Sequence, residues 1–239
     1  MGNRVLGPKE ELKEIVGHLK NLMVVDREVG LEPPMLSPSS LDYLDMGSSH
    51  LNSLEELRAF IGECKRCKLC HDRTNLVFGE GSPKARLVFV GEGPGREEDL
   101  AGRPFVGEAG RLLTKIIENG MGLKREDVYI CNVVKCRPPG NRDPEEDEVE
   151  ACLPFLKQQL QIINPEVICA LGRVSAQSLL GQGFKITKER GKWFSFLEIP
   201  VMPTYHPAYL LRNPAAKRQV WQDAQEIMTF MGLEVKRHV

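Results

Sequence analysis

The sequence contains no long hydrophobic run: its longest apolar stretches, such as Leu87–Val90 and Val167–Leu171, span four or five residues, whereas a bilayer-spanning helix needs about 20. No basic-then-apolar leader precedes a small-residue cleavage site, so secretion is not expected and a cytoplasmic protein is. Internal repeats and low-complexity tracts are absent too. There is no excess of either charge, with 32 Lys and Arg against 33 Asp and Glu and a net charge of −1. That balance argues against an indiscriminate nucleic-acid binder. Collagen, coiled coil, membrane protein and wholesale disorder are excluded. What remains, at 239 residues with 41% apolar and 27% charged positions, has the composition and length of a globular chain with a substantial core.

The charge is unevenly spread. Residues 1–63 hold 6 Lys or Arg against 11 Asp or Glu, and residues 64–239 hold 26 against 22. A mildly basic body can meet a polyanion, and an acidic leader is poorly suited to do so. The leader reads as an amphipathic helix over residues 8–24, followed by a Pro/Ser-rich linker from Gly30 to Ser53. A domain division follows, with 1–52 as leader and 53–239 as body. Ser53 and Glu56 form a capping-box pattern opening a helix through Phe60.

Beyond Cys64 the pattern is strand, loop, helix, repeated. Strands are predicted at Arg86–Val90, Val128–Val134, Glu166–Leu171 and Ile199–Thr204. Helices are predicted at Glu108–Asn119, from about Glu145, at Val174–Leu180 and at Ala215–Phe230. Pro154 must bend its helix or lie in a first turn. The alternation predicts an α/β fold: a three-layer α/β/α sandwich around a central, mostly parallel four-stranded sheet. In such folds working residues collect beyond the carboxyl ends of the strands. Three strand ends carry unusual polar chemistry here: Gly91-Glu92-Gly93-Pro94-Gly95, Asn132 and His206.

The seven cysteines are an odd number, which argues for reduced thiols or metal ligands over a disulfide framework. Cys64 and Cys67 form a CxxC unit, with Cys136 and Cys152 far downstream. Together they offer four thiolates to an iron–sulfur cluster or to zinc. The pair Cys64/Cys67 also reads as a redox pair, with Cys136 and Cys152 as plain buried cysteines. Cys131 and Cys169 lie in apolar strands and read as core. The glycine loop is neither GxGxxG nor a P-loop, and Glu92 within it would repel a pyrophosphate. It suits close backbone approach to a flat neutral ligand, with Glu92 placing a water. Glu97, Glu98 and Asp99 read equally as a solvated helix start. Phe105 is a core aromatic by default or a platform for a base.

Four segments, GEGPGREED at 91–99, GRPFVGEAG at 102–110, NVVKCRPPGNRDP at 132–144 and HPAYLLRNP at 206–214, resemble the iron–sulfur uracil-DNA glycosylases often called family 4. The resemblance covers about residues 64–230, in the family's order and spacing. It implies a monofunctional hydrolase that releases uracil from DNA in base excision repair. It implies a [4Fe–4S] cluster on Cys64, Cys67, Cys136 and Cys152, with Cys70 outside the ligand set. It places Gly91, Glu92 and Gly93 in the uracil pocket, Phe105 stacked on the base, Asn132 reading its edge and His206 opposite. Glu92 and His206 are the implied catalytic residues, with Glu98 a second candidate for activating water, because the position of Gly93 holds Asp or Asn in many relatives.

Arg137, Arg142 and Arg212 are expected to meet phosphates, with the segments 137–144 and 206–214 wedging the duplex. A related group that traps DNA covalently carries a basic insertion ending in histidine after the asparagine strand, and Lys135–Pro144 contains no histidine. The expected partner is uracil-containing DNA, single- or double-stranded, bound by a monomer with no membrane contact. Residues 1–52 are left free for a protein partner. The alternatives are a non-hydrolytic iron–sulfur DNA-binding or electron-transfer module and a zinc-stabilised binding protein.

Overall fold

The computed structural model describes residues 51–235. The leader helix and most of the linker therefore lie outside the described residues. Helix α1 (Leu54–Ile61) opens as its sequence requires: the Ser53 hydroxyl accepts from the Glu56 N–H at 3.1 Å. The Glu56 carboxylate accepts from the Asn52 N–H at 2.7 Å, one residue before the cap. Strand β1 (Glu80–Gly81) and strand β2 (Leu87–Gly91) follow, then α2 (Arg96–Ala101), α3 (Glu108–Lys115) and β3 (Tyr129–Asn132). Next come α4 (Glu146–Ile163), β4 (Val167–Leu171), α5 (Arg173–Leu180) and the short α6 (Ile186–Glu189). The chain ends through β5 (Phe194–Phe196), β6 (Ile199–Thr204), α7 (Pro207–Arg212) and α8 (Lys217–Phe230).

The sheet has six strands in the order β1-β3-β2-β4-β6-β5. The four predicted strands form its parallel centre, β3-β2-β4-β6, and two short antiparallel strands close the edges. The four-stranded expectation is therefore corrected to six. The edge strands have only two and three residues, too short to show a period-two pattern. The β5–β6 hairpin turns through Leu197 (φ 52°) and Glu198 (φ 65°), positions where Asn-Gly would have announced the turn.

Alternation along β2 sets the layers. Val88 and Val90 join a core containing Leu57 of α1, Leu156 and Leu160 of α4 and Ala176 of α5. Leu87 and Phe89 join the opposite core with Leu113 of α3 and Ala224 and Ile227 of α8. Pro154 lies inside α4, past its first turn. Its missing N–H takes the usual helical donor from the carbonyl four residues back, at exposed Glu150. All four parallel strands aim their carboxyl ends at one edge of the layers, where the pocket forms.

Candidate active site

A cavity of about 610 Å³ opens at that edge, and Glu92, Gly93, Phe105, Asn132, His206 and Tyr209 help line it. The three loops singled out in the sequence thus meet. Asn132 ends β3 in register with Gly91 and is 1% exposed. Its Oδ1 is a buried side-chain oxygen with no hydrogen-bond partner among the described residues. Such an orphan costs about 1–3 kcal/mol unless a ligand satisfies it. Gly91 does not itself line the cavity. A Cβ there would come within 2.4 Å of Asn132 Oδ1 and 2.6 Å of Phe105 Cζ, so glycine is what lets ring and amide close on one another. Beyond the strands, Val133 N–H donates to Gly91 O (3.0 Å) and Val134 N–H to Glu92 O (3.1 Å), which fixes the glycine loop.

Phe105 adopts φ 53° in a non-glycine residue, a strained position held from three sides. Glu98 Oε1 accepts from the N–H groups of Val106 (2.9 Å) and Gly107 (2.8 Å). Arg125 Nη2 donates to Pro104 O at 2.7 Å. Gly110 permits the turn, since a Cβ there would lie 1.9 Å from Phe105 O. One oxygen of Glu98 is therefore committed to the loop amides that follow Phe105. Asp99, expected as part of a solvated helix start, is buried, and its Oδ1 accepts from Thr74 N–H (2.8 Å) and Asn75 N–H (3.2 Å). Glu97 is the solvated member, 3.7 Å from Arg111 Nη1.

His206 follows β6 and caps α7: its Nδ1 accepts from Ala208 N–H at 3.1 Å. That bond puts the ring proton on Nε2. Burial pushes the imidazole pKa down to about 4, with Glu98 opposing and Arg212 reinforcing the shift. The ring is therefore a neutral N–H donor at physiological pH. Its centroid lies 5.5 Å from that of Phe105, at an interplanar angle of 33°. Burial pushes the Glu92 carboxyl up to about 7, with Asp143 adding to the shift and Arg173 opposing it. Gly93 offers no room for a side chain, because a Cβ would lie 2.7 Å from Val134 Cγ2.

The arginines divide. Arg142 is engaged, with Nη1 and Nη2 on the two oxygens of fully buried Glu148 at 2.8 and 2.6 Å. A guanidinium committed this way braces its own loop against α4, at the wall of the cavity. Arg137 donates to Asn141 Oδ1 at 2.7 Å within the loop. Arg212 is exposed and has no ion pair among the described residues.

Cys64, Cys67, Cys136 and Cys152 line a second, small cavity behind β3, and Cys70 shares its wall. Arg73 Nη1 donates to Cys136 Sγ at 3.1 Å, and Lys135 N–H to Cys152 Sγ at 3.3 Å. Burial pushes the thiols of Cys136 and Cys152 up to about 11 and about 12, so thiolates there need an electrophile to hold them ionised. Among the described residues no group of three His, Cys, Asp or Glu side chains is arranged around a single metal ion, as a Cys₄ zinc site with sulfurs about 2.3 Å from one point would be. Four sulfurs, two buried and two half-buried, with cationic and amide donors beside them suit an anionic iron–sulfur cluster. Cys131 and Cys169 are core residues of β3 and β4, as predicted.

Comparison with known proteins extends this geometry. Residues 78–225 match the uracil DNA glycosylase superfamily model. The chain is 52% identical over 185 residues to a type-4 uracil-DNA glycosylase of Sulfurisphaera tokodaii, an alignment covering 74% of this chain and 84% of that protein. It is 50% identical over 188 residues to one of Thermotoga maritima, with 75% and 97% covered. A third, of Saccharolobus solfataricus, is 45% identical over 185 residues, with 74% and 86% covered. With a pocket built at the sheet's carboxyl edge and four cysteines gathered behind it, the chain belongs to the uracil-DNA glycosylase superfamily, as a type-4 member.

Proposed function

We propose that the chain hydrolyses the N-glycosidic bond of a deoxyuridine flipped out of DNA, releasing free uracil and leaving an abasic sugar as the first step of base excision repair. The observation that carries this reading is the unpartnered Asn132 Oδ1, buried in the sheet-edge cavity that Phe105 and His206 also line. Flipping costs roughly a few kcal/mol of unstacking, and Phe105 returns part of it as a stacking face. Asn132 pairs with N3–H and O4 of the base. As the C1′–N1 bond breaks, the electron pair moves into the ring and the sugar becomes oxocarbenium-like. The neutral Nε2–H of His206 donates to the developing uracil oxyanion, a role that needs no proton transfer. Glu92, once ionised, takes the proton of the water that attacks C1′. Arg212 and the exposed end of α7, with Leu211 36% exposed, face the duplex.

Cys64, Cys67, Cys136 and Cys152 would hold a [4Fe–4S] cluster, whose contribution is to cross-link the α1–β1 connection to the loop after β3 and to α4. Its ligands lie away from the reacting atoms, so its role is structural. The protein should be brown with about four irons per chain, the cluster's own stoichiometry. Stoichiometric zinc in protein purified without oxygen would overturn this assignment. Residues 53–239 act as the glycosylase domain of a cytoplasmic monomer, and residues 1–52 are dispensable for chemistry or bind a protein partner. No helix among the described residues is long and apolar enough to cross a membrane.

The deciding experiment is release of free uracil from uracil-containing single- and double-stranded DNA. Tight DNA binding without release would favour a non-hydrolytic module. A chain starting at Ser53 should keep its single-turnover rate within about threefold, because an acidic leader contributes little phosphate neutralisation. A collapse of that rate with the fold intact would give the leader a catalytic part.

A further inference from the structure

Lys135 is 1% exposed, and its ammonium has no ion pair among the described residues. Nζ donates to the main-chain carbonyl of Asn132 at 2.7 Å and to Gln159 Oε1 at 2.5 Å. Gln159 is itself fully buried in α4 and is held by donating to Phe78 O at 2.9 Å and Tyr129 Oη at 3.2 Å. The Lys135 N–H reaches Cys152 Sγ at 3.3 Å, and its carbonyl accepts from Val77 N–H at 2.8 Å. Burying an ammonium against neutral acceptors is costly, and a methionine would fill the same space without that cost.

The sheet explains what the ammonium does. On its inner edge β3 is paired to β2 up to Asn132. On its outer edge β1 pairs only with Tyr129 and Ile130. The peptide that leaves Asn132 is held on its inner side by the Val133 N–H on Gly91 O, but on its outer side its carbonyl has no strand to face, and the ammonium takes the place of that missing neighbour. We propose that Lys135 is a positioning residue for base recognition: it clamps the Asn132 carbonyl, fixes the aim of the Asn132 amide into the pocket, and ties that peptide to the sulfur site through its own N–H. The inference rests on the reading of Asn132 as the residue that pairs with uracil.

Lys135→Met should keep iron content and visible absorption, and should bind DNA carrying an abasic-site analogue within twofold of the parent. Its single-turnover excision at saturating enzyme should fall about 10- to 100-fold, the scale of an ångström-level misplacement. In an Asn132→Ala background the same substitution should change the rate less than about twofold, because the aim of an absent amide no longer matters. A merely structural lysine would lower both backgrounds alike, and that additivity would overturn the proposal. An unchanged rate in folded, iron-loaded Lys135→Met would also overturn it. If Lys135→Met does not accumulate as folded holoprotein, Gln159→Met decides, since it removes the second acceptor and leaves the ammonium to shift. A rate loss that vanishes in the Asn132→Ala background supports the clamp, and an additive or absent loss overturns it. Unchanged excision by Asn132→Ala itself would remove the reading beneath the inference, an outcome distinct from additivity.

Discussion

Glu92→Gln is expected to lower single-turnover uracil excision about 10²- to 10⁴-fold at pH 8, the usual contribution of a general base, while making the protein more stable. Both effects have one cause. Burial, with Asp143 nearby, pushes the Glu92 carboxyl up to about 7. A carboxyl raised in the folded state contributes stability below its ordinary value near 4.5, and that contribution is lost as pH rises through about 7. Above pH 7 the folded protein therefore carries a poorly solvated charge that glutamine would not. At pH 8 the variant should gain about 1–3 kcal/mol, allowing for the partial exposure of the group, or about 2–12 °C in melting temperature for a chain of this size. The gain should fade toward pH 4.5.

The pH profile of the parent follows from the same values. Excision should rise with pH through an apparent pKa about 7 as Glu92 ionises. No limb should come from His206 above pH 5, because burial holds that imidazole near 4. A flat profile from pH 5 to 8 would separate Glu92 from the water. Retained activity in Glu92→Gln would do the same, and would return attention to the second oxygen of Glu98. That oxygen is close enough to Gly95 that a Cβ there would meet it at 2.8 Å.

The parallel centre of the sheet was legible because each of its strands is an apolar run between turn residues, and the convergence of Glu92, Asn132 and His206 follows once those strands are parallel. What escaped the sequence depends on contacts between distant segments. Glu98 reads like any acid at a helix start, and only the fold shows its oxygen on the amides of Val106 and Gly107. Arg142 reads as any loop arginine, and only the fold shows Glu148 of α4 beneath it. Lys135, in a row of polar and apolar residues, carries no signal that it is buried. The edge strands are pairings of opportunity, formed because β3 and β6 leave hydrogen-bonding edges open, and such edges recruit short segments of weak intrinsic preference. The cysteine ligands were readable as a set only through family resemblance, since Cys70 meets the same spacing as Cys67 and stands at the same cavity wall.

Asn132→Ala is expected to cost about 1–3 kcal/mol of transition-state binding, the worth of one bidentate base contact, or roughly 10- to 100-fold in single-turnover excision. It should not open the site to cytosine. Uracil presents an N3–H donor beside an O4 acceptor, and an amide offers the complementary pair in one plane. Cytosine reverses both, so the amide in its fixed pose faces two mismatches, and buried unpaired groups raise the penalty further. The pose is fixed by structure: Asn132 is paired to Gly91 on one side and clamped at its carbonyl by Lys135 on the other. Thymine matches uracil along this edge and must be rejected through its 5-methyl group elsewhere in the pocket. Asn132→Asp tests the pairing directly. A protonated carboxyl donates to cytosine N3 and accepts from its N4 amine, so the gap between uracil and cytosine should narrow. Burial favours that neutral form and the nearby ammonium of Lys135 opposes it, so the narrowing should be greatest at low pH. Excision of uracil, cytosine and thymine would be measured at pH 6 and pH 8, with melting temperature alongside. If Asn132 served only to end its strand, both variants would lose stability and keep their base preference. A folded Asn132→Ala protein that excises uracil at the parental rate would remove this residue from the pocket chemistry.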